Sequence, residues 1–122
     1  MHEIFKVPVL INNNNVVHLF RAVGAEEFYS IMRLNRFTIP PYISANVKYF
    51  GVDFDETLTF ANRKQFVDII AVFEVEVLYD KLMQIGDFTH IDAFLFKKGT
   101  VIIHSEHLDF FNNAIMHINH KY

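Results

Sequence analysis

The chain has 122 residues, a formal net charge of −3 and no cysteine, and 52% of its residues are hydrophobic. This length and composition predict one ordinary domain, spanning residues 1–122, with a core of its own. The absence of cysteine excludes disulfides, thiolate metal sites and thiol nucleophiles. The 11 lysines and arginines are scattered, which argues against a nucleic-acid partner. No apolar run approaches the roughly 18–20 residues that cross a bilayer, and the N-terminus lacks a signal-peptide pattern, so we expect a cytoplasmic protein without a membrane partner.

The N-terminal segment predicts little regular structure. Ile4–Ile11 is apolar, but Pro8 interrupts it and limits it to an edge strand at best. Asn12–Asn15 predicts a turn, because asparagine tolerates left-handed backbone and caps its own amides.

Val16–Val23 predicts a β-strand, because it is rich in β-branched and aromatic residues. Strict alternation places Arg21 on the same face as Val17, Leu19 and Val23. An arginine on an apolar face either extends to solvent at the strand end or binds an anion.

Ala25–Arg33 predicts a packing helix with acids in its first turn. Phe28, Ile31 and Met32 have the spacing of a buried helix face. Thr38–Asn46 contains two successive prolines, so we expect a loop there, either a surface connection or a wall beside a pocket.

Lys48–Ala61 is the stretch around which the rest of the chain is predicted to be organised. A short aromatic strand ends at Gly51, and an acidic run then begins a helix over Asp55–Arg63. Asp53 and Asp55 are suitable N-cap residues for that helix. Such a strand-to-helix junction often places side chains at the rim of a cleft.

Asp68–Val77 is the strongest predicted strand. Its first half is almost entirely apolar, as in a central strand, and its second half alternates. Glu74 and Glu76 then lie on one face, either as the solvated face of the strand or as an acid–base pair.

The last third of the chain begins with Leu78–Ile85, which predicts a short amphipathic turn or helix stopped by Gly86. Ala93–Phe96 and Thr100–His104 have the pattern of a hairpin around a glycine-ended loop. The apolar residues that follow have helical spacing and predict a C-terminal helix; they are Leu108, Phe111, Ile115 and Ile118.

Familiar catalytic motifs are absent from the sequence, including phosphate-binding glycine loops and the HExxH and GxSxG patterns. His104 and His107 are spaced to meet on one side of a helix, but no third ligand accompanies them. The sequence therefore predicts no metal site. The order of elements predicts an α+β fold with a mixed or antiparallel-rich sheet and a few short helices.

Three features in chain order resemble the signature of the ADP-ribosyltransferase superfamily. They are Arg21 near a strand end, the aromatic pair Tyr49 and Phe50 after a lysine, and Glu106 just past a late strand. The similarity is closest to small bacterial toxin-like members and covers roughly residues 17–110. It includes the acid-rich start of the first helix, the Lys-aromatic-Phe strand and the Val/Glu-rich strand Phe73–Val77.

The sequence also departs from this pattern. The Ser-Thr-Ser segment of one branch is absent, so the aromatic pair takes its place. The glycine-rich turn before the last strand is replaced by Thr89–Asp92. Glu74 and Glu76 therefore remain alternatives to Glu106 as the third motif.

The resemblance implies an ADP-ribosyltransferase-like fold with a split sheet, and NAD as the substrate. Arg21 would bind a phosphate or ribose oxygen, and Tyr49 and Phe50 would hold the nicotinamide. Glu106 would act with Arg21 in catalysis by stabilising the cationic ribose. The implied activity is transfer of ADP-ribose to an unknown acceptor by a toxin or effector.

Two alternatives remain open at the level of sequence. One is a non-catalytic interaction or immunity module built on an α+β scaffold. The other is an NAD glycohydrolase that uses the same site with water as the acceptor. The sequence does not determine the oligomeric state or the partner.

Overall fold

The computed structural model describes residues 15–42, 46–63, 68–90 and 94–122. The strands are β1 (Val16–Gly24), β2 (Val47–Gly51), β3 (Ile69–Leu78), β4 (Asp87–Thr89), β5 (Thr100–His104) and β6 (Ile115–His120). The helices are α1 (Ala25–Leu34), α2 (Phe54–Ala61), α3 (Tyr79–Ile85) and α4 (Leu108–Ala114). The predicted edge strand Ile4–Ile11 lies outside the described residues. Asn15 has a φ of 56°, the left-handed backbone expected of that asparagine.

The six strands form one open sheet in the order β4-β5-β2-β1-β3-β6, and every pair of neighbours is antiparallel. Four short helices accompany it. The α+β fold class and the antiparallel-rich sheet predicted from the sequence are therefore confirmed.

The main core lies on one face of the central strands, as their alternation predicts. Val17, Leu19 and Val23 of β1 are buried there, together with alternate residues of β3, which are Ala71, Phe73, Val75 and Val77. Ile31 of α1 and Phe111 of α4 pack against them. Helices α1, α3 and α4 therefore cover this face. Met32, which the sequence predicts to be buried, is 58% exposed, because only a narrow face of α1, centred on Ile31, packs against the sheet.

The opposite face carries a smaller core beneath α2. Phe20 and Val72 on the sheet are buried against Ala61, and Leu58 packs beside them. The N-cap prediction for α2 is confirmed, since the Asp53 side chain accepts a hydrogen bond from the Glu56 amide at 3.0 Å. Helix α2 covers only part of this face.

The sheet is split between β1 and β2. These strands pair at a single position, Phe20 with Gly51, whereas β2 pairs with β5 along its whole length. Two three-stranded halves thus meet at one point and separate beyond it. Gly51 is required there, because a Cβ would lie 2.4 Å from the Thr57 hydroxyl.

The predicted hairpin is wrong in its first strand. Strand β5 pairs with β2 on one side and with β4 on the other, whereas Phe94–Phe96 is not a strand. The reason is non-local: the Lys98 amide donates to the Glu56 carboxylate and its ammonium pairs with Asp53, which holds this loop on α2.

The predicted C-terminal helix is also wrong in its second half. Helix α4 ends at Ala114, and Ile115 and Ile118 belong to β6, which pairs with β3. Strand β6 provides hydrogen-bond partners for the backbone groups along the edge of β3. This strand pairing determines the structure of the segment, although its apolar residues have helical spacing.

Candidate functional site

Arg21 spans the split between the two halves of the sheet. Its Nη1 donates to the carbonyl oxygen of Tyr49 at 2.8 Å, while Nε and Nη2 donate to Glu27 at 2.6 and 2.9 Å. The guanidinium carbon lies 5.8 Å from the centre of the Phe50 ring. One N–H on each terminal nitrogen of Arg21 has no partner among the described residues.

Glu27 connects this arginine to a buried lysine. The Lys48 Nζ lies 3.3 Å from the Glu27 Oε2 that also accepts from Arg21. Burial raises the pKa of Glu27, but the hydrogen bonds and charges of Arg21 and Lys48 outweigh it and hold the pKa below its ordinary value. Glu27 is therefore an anion shared by two cations.

The pKa of Lys48 is lowered, mainly by burial and then by the positive charge of Arg21. The ion pair with Glu27 acts in the opposite direction, toward a higher pKa, and does not fully compensate. Three charged groups from β1, α1 and β2 thus form a half-buried cluster with one more positive than negative charge.

A cleft of about 590 Å³ opens beside this cluster, where β1 leaves β2. Its walls are mostly apolar and aromatic, and its polar groups include Arg21, both glutamates of α1 and two threonines. The lining residues include Arg21, Glu26, Glu27, Tyr49, Phe50 and Thr100.

A second cleft of about 650 Å³ lies between α1, the proline loop and the start of β2. Arg21, Glu26 and Glu27 line both clefts, so the Arg21–Glu27 pair forms the partition between them. Lys48 and Arg33 add positive charge to the second cleft. The loop with Pro40 and Pro41 contributes to its wall, in agreement with the pocket alternative for that segment.

Three of the four residues proposed from the sequence meet at the first cleft. Arg21, Tyr49 and Phe50 all line it. Tyr49 is 46% exposed, but Phe50 has no exposed surface and packs against Phe37 and Phe111. Phe50 therefore supports Arg21 from below and does not offer a face to a ligand.

Glu106 does not join them. Its side chain is 76% exposed, lies 3.5 Å from His107, and lines neither of the two clefts. The residue of the late strand β5 that lines the first cleft is Thr100, whose hydroxyl donates to the carbonyl of Thr89. The alternatives Glu74 and Glu76 on β3 also lie outside both clefts.

Sequence reasoning missed Glu27, Lys48 and Thr100 as members of the site. The sequence pattern accounts for Glu27 only as one of the acids in the first turn of a helix, and for Lys48 only as the lysine before the aromatic pair. A buried arginine requires a carboxylate, and the acids nearest to Arg21 in the sequence are Glu26 and Glu27, so this signal was available.

The fold and site together define an α+β domain with a charged cluster set between two halves of one sheet. A scan against protein-family models and searches of curated proteins and of solved structures gave no match to this chain. Within the described parts of the chain, no helix combines the length and apolar character needed to cross a membrane.

Proposed function

We propose that the first cleft binds NAD and that the protein is an ADP-ribosyltransferase-like domain acting on the nicotinamide–ribose bond. The observation that carries this proposal is the position of Arg21, which bridges the split in the sheet at the mouth of an aromatic-walled cleft. The cleft volume of about 590 Å³ falls in the range of small-molecule sites.

The two clefts suit the two halves of a dinucleotide. The aromatic-walled cleft fits the nicotinamide and its ribose, with Tyr49 available for stacking. The second cleft, with Lys48 and Arg33, fits the more negatively charged part of the molecule. Arg21 lies between them. Its two N–H groups that bond to neither Glu27 nor Tyr49 can donate to a pyrophosphate or ribose oxygen.

The carboxylate that we assign to the reaction is Glu26. It lines both clefts and has no hydrogen bond or ion pair within the described residues, whereas Glu27 is neutralised by Arg21 and Lys48. A free carboxylate beside the ribose stabilises the cationic transition state as the C–N bond breaks. The bonding electrons leave with neutral nicotinamide, and the acceptor bonds to the ribose carbon and loses its proton.

Transfer to a protein acceptor would make this chain a toxin or effector that acts where NAD is present, in a cytoplasm. Water is the first acceptor to test. Cleavage of NAD by water at the same site would release free ADP-ribose, which is the product of a glycohydrolase.

The test is nicotinamide release from NAD, measured with NAD binding by calorimetry. Glu26→Gln is expected to lower turnover by about 10²–10³ while NAD affinity is largely kept, because the charge acts mainly in the transition state. Glu106→Gln is the control and is expected to behave as wild type. A loss of turnover in Glu106→Gln alone would return the catalytic role to Glu106, and absence of NAD binding at millimolar ligand would reject the proposal.

A second candidate function is a module that binds NAD or a related nucleotide without cleaving it. It is favoured by the presence of Thr100, and not a glutamate, where β5 lines the first cleft. The hydroxyl of Thr100 carries no charge and is engaged with Thr89, so β5 supplies no carboxylate to the cleft. NAD binding that depends on Arg21, with no nicotinamide released by wild type, would establish this candidate in place of the enzyme.

A further inference from the structure

A group of metal-ligating side chains lies on the sheet face that α2 leaves open. His18 projects from β1, and Glu74 and Glu76 from β3. The His18 Nδ1 lies 2.9 Å from Glu74 Oε2, and one ligand atom from each of the three residues lies within 4.8 Å of the others. All three side chains are half-buried, and none lines the two clefts described above.

The strand register adds a fourth donor. His117 on β6 is directly opposite Glu76, so its side chain stands on the same face at cross-strand distance. It is exposed and has no hydrogen bond or ion pair within the described segments. His18, Glu76 and His117 thus form one row across three adjacent strands, with Glu74 in the next row.

Asn119 holds the two carboxylates in place. Its Nδ2 donates to Glu74 Oε1 at 3.1 Å and to Glu76 Oε2 at 3.0 Å, and only this amide orientation gives both carboxylates a donor. One oxygen of Glu74 is thereby fixed away from His18, and the other faces His18 Nδ1. In protein metal sites, the carboxylates that bind the metal typically accept hydrogen bonds from neighbouring side chains, as these two do from Asn119.

We propose that His18, Glu74, Glu76 and His117 bind a divalent transition-metal ion, with Zn²⁺ as the best fit. Two imidazoles and two carboxylates form a nitrogen–oxygen set that suits Zn²⁺, whereas Ca²⁺ takes six to eight oxygens. The carboxylates of Glu74 and Glu76 place two negative charges close together on the same face of β3. A bound cation removes this repulsion.

His18 and Glu74 need to move only slightly to hold the ion, whereas His117 must rotate into the site. With Zn–ligand bonds of about 2.0–2.1 Å in a tetrahedron, neighbouring ligand atoms lie about 3.4 Å apart. The His18–Glu74 pair must therefore lengthen by only about half an ångström from its 2.9 Å separation. His117 is not among the three residues whose ligand atoms already lie together, and its exposed imidazole must rotate about its side-chain bonds to reach the site.

The test is calorimetric titration of the full chain, without an affinity tag, with Zn²⁺ near neutral pH. We expect one ion per chain and an affinity that Glu76→Gln and His117→Ala each weaken by about tenfold or more. His104→Ala is the matched control and is expected to keep wild-type affinity, since His104 lies on β5, in the other half of the sheet, beside Asp87. Circular dichroism confirms that each variant is folded, and exposed His117 is the substitution least able to disturb the fold.

Thermal unfolding gives a second measurement. Zn²⁺ is expected to raise the unfolding temperature of wild type and His104→Ala, and not that of Glu76→Gln, because only a folded site gains from the ion. No saturable binding to wild type at millimolar Zn²⁺ overturns the proposal. So does binding that is weakened by His104→Ala and unchanged by His117→Ala.

Discussion

The guanidinium of Arg21 donates to the backbone carbonyl of Tyr49, 2.8 Å away, across the gap where β1 and β2 separate. The ladder between these strands consists of the single pair Phe20 and Gly51, so the carbonyl of Tyr49 faces β1 without a strand amide to accept from. The arginine side chain supplies the missing donor. The residue that the proposed function assigns to NAD binding thus also links the two halves of the sheet.

Replacing Arg21 with lysine should destabilise the fold by about 1–3 kcal/mol. Lysine keeps the charge but loses the paired hydrogen bonds to Glu27 and the bond to Tyr49. Urea unfolding measures the change. Arg36→Lys is the matched control, because Arg36 pairs with an exposed aspartate, and it should change stability by less than about 1 kcal/mol. Equal effects would mean that the bridge contributes nothing to stability.

The charged cluster predicts a loss of stability in acid. The folded pKa of Glu27 lies below its ordinary value of 4.5, so the unfolded chain takes up this proton first as the pH falls. The stabilisation is therefore complete above pH 4.5 and is lost as the pH falls through the lower folded pKa.

Glu27→Gln tests this dependence. The variant should be less stable than wild type at neutral pH, because Arg21 and Lys48 then face each other without an anion. Urea midpoints measured across this pH window should converge as the pH falls. A constant difference between the two proteins at every pH would contradict the assigned cause.

Gly51→Ala should destabilise the junction of the two half-sheets by about 1–3 kcal/mol. The added Cβ would lie 2.4 Å from the Thr57 Oγ1, which is buried and donates to the carbonyl of Asp53. A double-mutant cycle with Thr57→Ala identifies the clash. The double variant should be more stable than the sum of the single changes predicts, whereas strict additivity would show that Thr57 is not the obstacle.

Phe73→Ala should destabilise the protein by about 3–5 kcal/mol. The ring is buried in the main core and stacks on Phe28 at 5.7 Å between centroids. Ile70→Ala on the same strand is the control, since Ile70 is exposed, and it should cost less than about 1 kcal/mol. A similar loss in both variants would indicate that position on β3, and not burial, governs the cost.

The sequence by itself determined the elements whose signals are local. The alternation of β1 and β3, the Asp53 cap and the stop at Gly86 each depend on a few neighbouring residues, and the structure has them as predicted. Secondary-structure period and capping chemistry act within about one turn or one pleat, so a single sequence carries them.

Only the tertiary structure decided the strand partners and the members of the site. β5 pairs with β4 and not with the segment before its own loop, and the second half of the predicted C-terminal helix forms β6 because β3 offers it an edge. For the same reason Arg21 meets the carbonyl of Tyr49, and Glu106 lies outside the clefts. Strand pairing and side-chain contacts of this kind depend on backbone groups and charges that are distant in the sequence. No local sequence pattern specifies which of these groups become partners.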